Sequence, residues 1–189
     1  KDKKVTAYHE AGHAITARVV STTDKVERVS IIPAGMAGGY TAFKPEEDTA
    51  YRTKSQLIES IVKALGGKAA EEIVFGEVTT GAYSDLKQAN SIARNMITKY
   101  GMSERLGNMI FASDNDEVFL GRDFVHARNY SEELAAEIDK EVKSIIDEAY
   151  SRTLNILKEN ISKLHKVAEV LLDKEKIEGI EFEEIFANA

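Results

Sequence analysis

The sequence contains no cysteine, no long apolar run and no excess of positive charge. Without cysteine, neither a disulfide nor a thiolate metal site is possible, so any metal ion must be bound by His, Asp or Glu. Acidic residues outnumber basic ones by 32 to 25, giving a net charge of -7, which opposes binding to nucleic acid because phosphate binding requires a local excess of Lys and Arg. No stretch approaches the roughly 18 apolar residues of a membrane span, and the N-terminus lacks the apolar stretch of a signal peptide. We therefore expect no nucleic-acid partner and no membrane span within this chain.

A phosphate-binding loop of the form G-x-x-x-x-G-K-[ST] is also missing. Such a loop holds nucleotide phosphates through its backbone, so this chain is expected neither to bind nor to hydrolyse ATP. With 43% hydrophobic residues, the 189-residue chain is long enough to bury a core as one domain or two closely packed subdomains. It begins abruptly in a helical pattern, which suggests a segment of a longer protein.

The apolar spacing predicts a mainly α fold with a small β-hairpin beside the first helix and a C-terminal helical bundle. A glycine-rich turn joins two predicted strands, and Gly66-Gly67 is interpreted as a helix stop. A long amphipathic helix is expected to begin after Ser131 and to extend on the order of 40 Å. The irregular stretch 107–129, with acidic tip 114–117, is predicted to be a solvated loop rather than a calcium site. Predicted helices are 5–20, 53–64, 68–75, about 84–100, 161–172 and 180–186, and predicted strands are 26–32 and 40–43.

The first helix carries His9, Glu10 and His13 in the pattern H-E-x-x-H. Residues i and i+4 of a helix differ by about 40° around its axis, so both imidazoles can bind one metal ion. Glu10 lies about 60° from His13 and can flank the metal without binding it. A hydrolytic zinc site needs this arrangement together with a third protein ligand and an open position for water.

Chance alone would produce this pattern in about one of a few hundred chains of this length. The alternative interpretation is therefore two partly exposed helix histidines without a metal, in an all-helical oligomerisation module that is not an enzyme. The other two histidines, His126 and His165, lack metal-ligand spacing and are expected to have ordinary polar roles.

Six segments of the sequence carry a family resemblance: TAYHEAGHAI, VERVSIIPAG, GGKAAEEIVFGEVTTGAYSDLKQAN, YGMSERLG, FLGRD and RNYSEELAAEIDKEVKSIIDEAY. They resemble the peptidase domain of the FtsH family, membrane-anchored ATP-dependent zinc metalloproteases, over essentially the whole chain. Departures such as Lys68, where the family more often has Arg, and Tyr83 affect none of the expected ligands.

The resemblance implies one Zn2+ per chain, with Asp85 of TTGAYSDL as the third ligand beside His9 and His13. From the residues alone, an Asp at a helix start is more often a cap or a partner of the helix dipole. Glu71 and Glu72 are the rival acidic residues. One of them could hydrogen-bond a ligating histidine, whereas the alternative is a solvent-facing charge, and the sequence does not decide between the two.

The resemblance further implies an endopeptidase in which Glu10 is the general base for hydrolysis of peptide bonds. An extended peptide substrate could pair with an exposed strand edge, for which Val29, Ser30, Ile31 and Ile32, or the neighbouring strand after Gly38-Gly39, are candidates. Simple packing of that strand beside the metal helix is the alternative.

For the complete protein, the resemblance implies AAA+ ATPase and transmembrane regions upstream of this chain, so that ATP and the membrane are engaged only through those regions. It implies a homo-hexamer at the cell inner membrane, with the protease domain on the cytoplasmic side, that degrades unfolded membrane and soluble proteins in quality control; an organellar homologue is the alternative. Within the chain, residues 1–105 are expected to form a metal-site subdomain and residues 106–189 a C-terminal helical part. The competing functions are a catalytically silent ring scaffold and a zinc enzyme acting on a non-peptide amide.

Overall fold

The computed structural model of the chain describes residues 1–46, 50–111 and 130–189. The predicted acidic loop tip Asp114–Glu117 and His126 lie outside these residues. The helices are α1 (Asp2–Val20), α2 (Lys54–Ala64), α3 (Gly66–Phe75), α4 (Tyr83–Thr98), α5 (Glu132–Glu159), α6 (Ile161–Lys174) and α7 (Gly179–Asn188). The strands are β1 (Asp24–Ser30), β2 (Tyr40–Pro45) and β3 (Lys176–Glu178), and a 3₁₀ turn, Thr80–Ala82, precedes α4.

The predicted mainly α fold with a small sheet is confirmed. Local capping explains several helix starts: Ser131 accepts a hydrogen bond from the Leu134 N–H at the start of α5, and Thr53 and Gln56 form a capping box at the start of α2. None of the described helices has the length and apolarity that a membrane crossing requires.

The small sheet has a third strand that the sequence analysis did not predict. Its order is β2-β1-β3, with both pairings antiparallel. Val29 of β1 pairs with Thr41 on one side and with Ile177 on the other. Strand β3 has three residues, so its sequence shows too little alternation to distinguish it from a helix connection.

This topology makes the prediction of an exposed edge at Val29–Ile32 wrong. Val29 and Ser30 are paired on both sides, because β1 is the central strand. Beyond the strand, the N–H of Ile31 donates to the Glu175 carbonyl and that of Ile32 to the Ser30 hydroxyl. The second candidate, β2, is an edge strand, as β3 is on the other side of the sheet, and within the described residues no strand pairs with the outer side of β2.

Helices α1 and α3 approach each other closely at two glycines. A Cβ on Gly12 would lie 2.3 Å from the Gly66 carbonyl oxygen, and one on Gly66 would lie 2.7 Å from the Gly12 oxygen. Helix α2 ends at Ala64, as predicted. The interpretation of Gly66-Gly67 as a helix stop is wrong, because the two glycines begin α3 and permit its contact with α1.

The apolar core consists of two clusters. The first surrounds α1 and includes Ile15, Leu164, Ile177 and Phe182, all fully buried. The second lies among α2, α4 and α5 and is centred on residues such as Ile61 and Met96. Both clusters contain residues from either side of position 105, and the division of the chain into parts 1–105 and 106–189 stays a prediction.

Candidate metal centre

Helix α1 places His9 and His13 side by side, and the start of α4 brings Asp85 to them. The Nε2 atoms of the two histidines are 3.1 Å apart. Asp85 Oδ2 lies 2.9 Å from His9 Nε2 and 3.1 Å from His13 Nε2. These three side chains form the one group of potential metal ligands found among the described residues.

The hydrogen bonds on the far side of each imidazole indicate which nitrogen carries the proton. His13 Nδ1 lies 2.8 Å from the carbonyl oxygen of Lys63, which can only accept, so Nδ1 is the protonated nitrogen of neutral His13. His9 Nδ1 lies 2.7 Å from Glu71 Oε2, also an acceptor. When both rings are neutral, as metal binding requires, their Nε2 lone pairs are therefore directed toward Asp85.

Three acceptor atoms at this spacing need a positive charge between them. Zinc bonds of about 2.0–2.1 Å in tetrahedral geometry place ligand atoms about 3.3 Å apart, slightly more than the 2.9–3.1 Å separations here. Two imidazole nitrogens and one carboxylate oxygen are also ligands that zinc accepts. The residues present therefore fit a zinc ion, and a small outward movement of the side chains would accommodate it.

The pKa values of His9 and Asp85 also indicate that the site favours a positive charge. Burial lowers the pKa of His9, but hydrogen bonds to Asp85 and Glu71 outweigh it and raise the pKa to about 9. Burial raises the pKa of Asp85, yet hydrogen bonds to His13 and His9 lower it overall, to well below its usual range. In the metal-free chain a proton on His9 supplies the charge that a metal would supply, so metal and proton compete for this site.

Glu71 and Glu72, which the sequence left undecided, have different surroundings. The Glu71 side chain is completely buried; one oxygen contacts His9, and the other accepts hydrogen bonds from the N–H and hydroxyl of Thr79, at 3.0 and 2.6 Å. Glu72 instead accepts a hydrogen bond from the hydroxyl of Tyr150 on α5. Glu71 therefore orients His9, and Glu72 links α3 to α5.

The ring of His9 fits against α3 because position 67 is glycine. A Cβ on Gly67 would lie 2.4 Å from both Cε1 and Nε2 of His9. The sequence contains the glycine, but only the packing of α1 on α3 shows that it leaves room for the His9 ring.

Glu10 lies beside the three-residue group without joining it. Its side chain faces the same cavity, of about 880 Å³, and the residue is only 7% exposed. The Thr41 hydroxyl donates to Glu10 Oε2 at 2.8 Å. Strand β2, the turn residue Met36 and Tyr83 of α4 also line this cavity.

Sequence reasoning missed three contributors to this site: the Lys63 carbonyl, Thr79 and Thr41. A backbone carbonyl carries no sequence signal, and the other two side chains become recognisable only when their distant partners are known. His165 lies away from the site, where its Nδ1 is 2.6 Å from the Tyr8 hydroxyl.

The sequence matches known proteins over nearly its whole length. The family model described as peptidase family M41 matches residues 1–185. A protein of Ruminiclostridium cellulolyticum named ATP-dependent zinc metalloprotease FtsH is 72% identical over 188 residues, covering 100% of this chain and 30% of the relative. FtsH 1 of a Thermoanaerobacter species is 56% identical over 98% of this chain and 30% of the relative, and Bacillus subtilis FtsH is 47% identical over 98% and 29%. The chain thus spans about 30% of the length of these relatives.

Proposed function

The chain belongs to peptidase family M41, and from this membership and the geometry of the site we propose that it is a zinc-dependent endopeptidase domain. The observation that carries the proposal is the convergence of His9 Nε2, His13 Nε2 and Asp85 Oδ2 within 3.1 Å of one another, with the Glu10 carboxylate beside them. Because the family consists of peptidases, its match to this chain favours a catalytic role for these side chains over a purely structural one.

We assign His9, His13 and Asp85 as the residues that hold the zinc ion. Zinc, when bound, supplies Lewis acidity to a water molecule and to the carbonyl of the scissile peptide bond. Glu71 keeps the proton of His9 on Nδ1, and the Lys63 carbonyl does the same for His13, so that both Nε2 atoms remain available as ligands.

Glu10 is the general base in this proposal. Its carboxylate accepts a proton from the attacking water and returns it to the nitrogen of the leaving amine. Because Glu10 contacts Thr41 and not an arginine or lysine in the described residues, its charge is not neutralised by an ion pair.

The substrate of this proposal is an extended, unfolded polypeptide. Strand β2 lines the cavity, and its outer side pairs with no strand in the part of the chain that is described. A peptide can add to such an edge through backbone hydrogen bonds that are independent of its sequence. This mode favours broad cleavage of unfolded chains over recognition of one rigid motif.

The names of the relatives extend the proposal to the complete protein. They describe ATP-dependent proteases, and the relatives are about three times as long as this chain. We propose that this domain works within a membrane-anchored homo-hexamer of the inner membrane, on its cytoplasmic side, where an ATPase module delivers unfolded membrane and soluble proteins to the cavity. Size measurement of the complete protein in detergent tests the hexamer, and a monomer under all conditions would contradict it.

The direct test combines metal content with proteolysis. The purified chain should contain about one zinc per molecule and cleave casein, a chelator should stop cleavage, and zinc should restore it. Glu10→Gln should retain zinc and lose cleavage, whereas Asp85→Asn should lose both. Glu72→Gln, on a neighbouring helix but outside the site, is the matched control and should retain both. Cleavage that persists without metal, or in Glu10→Gln, would refute the assignment.

Anomalous scattering from a zinc-loaded crystal tests the ligand set independently of activity. A metal peak next to His9 and His13 with Asp85 as the third ligand is the expected result. A peak ligated by Glu71 in place of Asp85 would contradict the proposal.

A further inference from the structure

Thr41 is a polar residue that lines the cavity but is not one of the proposed zinc ligands. Its Oγ1 lies 2.8 Å from Glu10 Oε2 and 3.3 Å from the backbone oxygen of Glu10. A threonine hydroxyl has one proton to donate. Of the two oxygens, the charged carboxylate Oε2 is closer and is the stronger acceptor. Within the described residues, no other hydrogen-bond donor contacts the Glu10 carboxylate.

The sheet register selects Thr41 for this contact. Thr41 pairs with Val29 of the central strand, and directly paired residues of antiparallel strands point to the same face of the sheet. Val29 is fully buried in the cluster around α1, so Thr41 faces α1 as well. A slip of one residue would present Tyr40 or Ala42 instead, and neither can donate a hydrogen bond from the same place.

Gly39 completes the approach of β2 to the general base. A Cβ at this position would lie 2.6 Å from the Ser30 oxygen and 3.2 Å from Glu10 Cγ. The beginning of β2 can therefore lie against Glu10 only without a side chain at position 39. The strand and the carboxylate are held in contact by two neighbouring features, a hydrogen bond and a close backbone approach.

We propose that Thr41 is a positioning residue for Glu10, holding one carboxylate oxygen so that the other is available to water. This inference rests on the proposed function of the same site. Because β2 is also the edge on which a peptide would lie, Thr41 links the position of the bound substrate to the orientation of the base. A displacement of β2 would then move the donor and release the carboxylate.

Thr41→Val tests the proposal, because it keeps a β-branched side chain of similar shape and removes the donor. With zinc-loaded protein and an internally quenched peptide, kcat should fall about 10- to 100-fold, the loss expected when a reacting group is misplaced. KM should stay within about twofold, because substrate binding is not the affected step. Zinc content should be unchanged, and Thr41→Ser, which keeps the hydroxyl, should recover kcat to within about threefold of the wild type.

Thr98→Val is the matched control. The Thr98 hydroxyl donates to the Arg94 carbonyl of its own helix and is remote from the cavity, so this variant loses a hydroxyl without affecting Glu10. A kcat of Thr41→Val equal to that of Thr98→Val would overturn the proposal. Loss of zinc, or a rise in KM at constant kcat, would also overturn it, because Thr41 would then act in folding or binding.

A crystal structure of zinc-loaded Thr41→Val separates this proposal from the proposed function. If the wild-type chain does not cleave peptide, the proposed function fails, but the orientation of Glu10 can still be compared. A displaced carboxylate in Thr41→Val supports the positioning role, and an unchanged carboxylate overturns it whatever the activity.

Discussion

Glu71→Gln is the substitution for which the structure predicts the most specific consequence. Glutamine has nearly the shape of glutamate, so the buried position remains filled. The two donors of Thr79, its N–H and its hydroxyl, both point at the Oε1 position and require an acceptor there. The amide oxygen of glutamine will therefore face Thr79, and the amide NH2 will face His9 Nδ1.

A donor at that position inverts the tautomer of His9. Its Nδ1 must then accept, so the proton moves to Nε2, the atom that lies 2.9 Å from Asp85. Zinc binding would require this arrangement to break and leave a buried polar group unpaired, which costs about 1–3 kcal/mol. At about 1.4 kcal/mol per factor of ten, zinc affinity should fall about 5- to 150-fold. The usual loss from removing a partner of a ligating histidine, about 10- to 100-fold, lies in the same range.

The assay is competition for zinc against a chromophoric chelator at constant pH, with Glu72→Gln as the control. Glu72 is the next residue of the same helix and carries the same charge, but it contacts Tyr150 and not His9. Thermal unfolding of both variants checks that each is folded. A zinc affinity of Glu71→Gln within about twofold of Glu72→Gln would refute the reasoning, because the tautomer of His9 would then not depend on Glu71.

Three further predictions concern the same site and its support. Gly67→Ala should reduce zinc affinity at least about tenfold in the chelator assay, because its Cβ would lie 2.4 Å from the His9 ring; unchanged affinity would mean that α3 can retreat at no cost. In the metal-free chain, the pKa of His9 is about 9 in the folded state and 6.5 in the unfolded state. Protonation of His9 therefore stabilises the fold by roughly 3 kcal/mol below pH 6.5, and this stabilisation is lost as the pH rises through 9. Urea unfolding in chelator between pH 6 and 10 should show that decline, and a flat profile would contradict it. Thr53→Ala, which removes the capping box of α2, should cost about 1 kcal/mol of unfolding free energy and leave zinc affinity unchanged.

The parts of the site that lie within one helix were predictable from the sequence. His9, Glu10 and His13 are separated by less than two helical turns, so the helical repeat alone determines their relative directions. The helix starts at Thr53 and Ser131 were predictable for the same reason, since a capping side chain contacts the backbone only two or three residues away.

The proposed third ligand, Asp85, could not be derived in this way. Asp85 is 76 residues from His9 and looks like an ordinary acidic residue in the first turn of a helix. Its assignment as the third ligand came from the resemblance to a family. In the structure, packing of α4 beside α2 and of α2 beside α1 brings its carboxylate to the two histidines.

The difference between Glu71 and Glu72 illustrates what sequence cannot decide. Consecutive residues of a helix point about 100° apart, so one of the two must face α1 if the other faces α5, but the pattern does not say which. The contact at Gly12 and Gly66 fixes the rotation of α3 against α1, and that rotation directs Glu71 to His9. The same reasoning applies to β1, whose central position depends on a strand located about 150 residues later in the chain.

By itself, the sequence determined the helix that carries His9 and His13, the position of the proposed general base beside them, the absence of thiolate ligands and the predominance of helix. These depend on residue chemistry and on repeats of a few residues. The tertiary structure decided the partner of each imidazole, the central position of β1 in the described sheet, and the contact between Thr41 and Glu10. Each of these requires two segments far apart in the chain to meet at a distance of about 3 Å, and only the packing of the whole domain sets that distance.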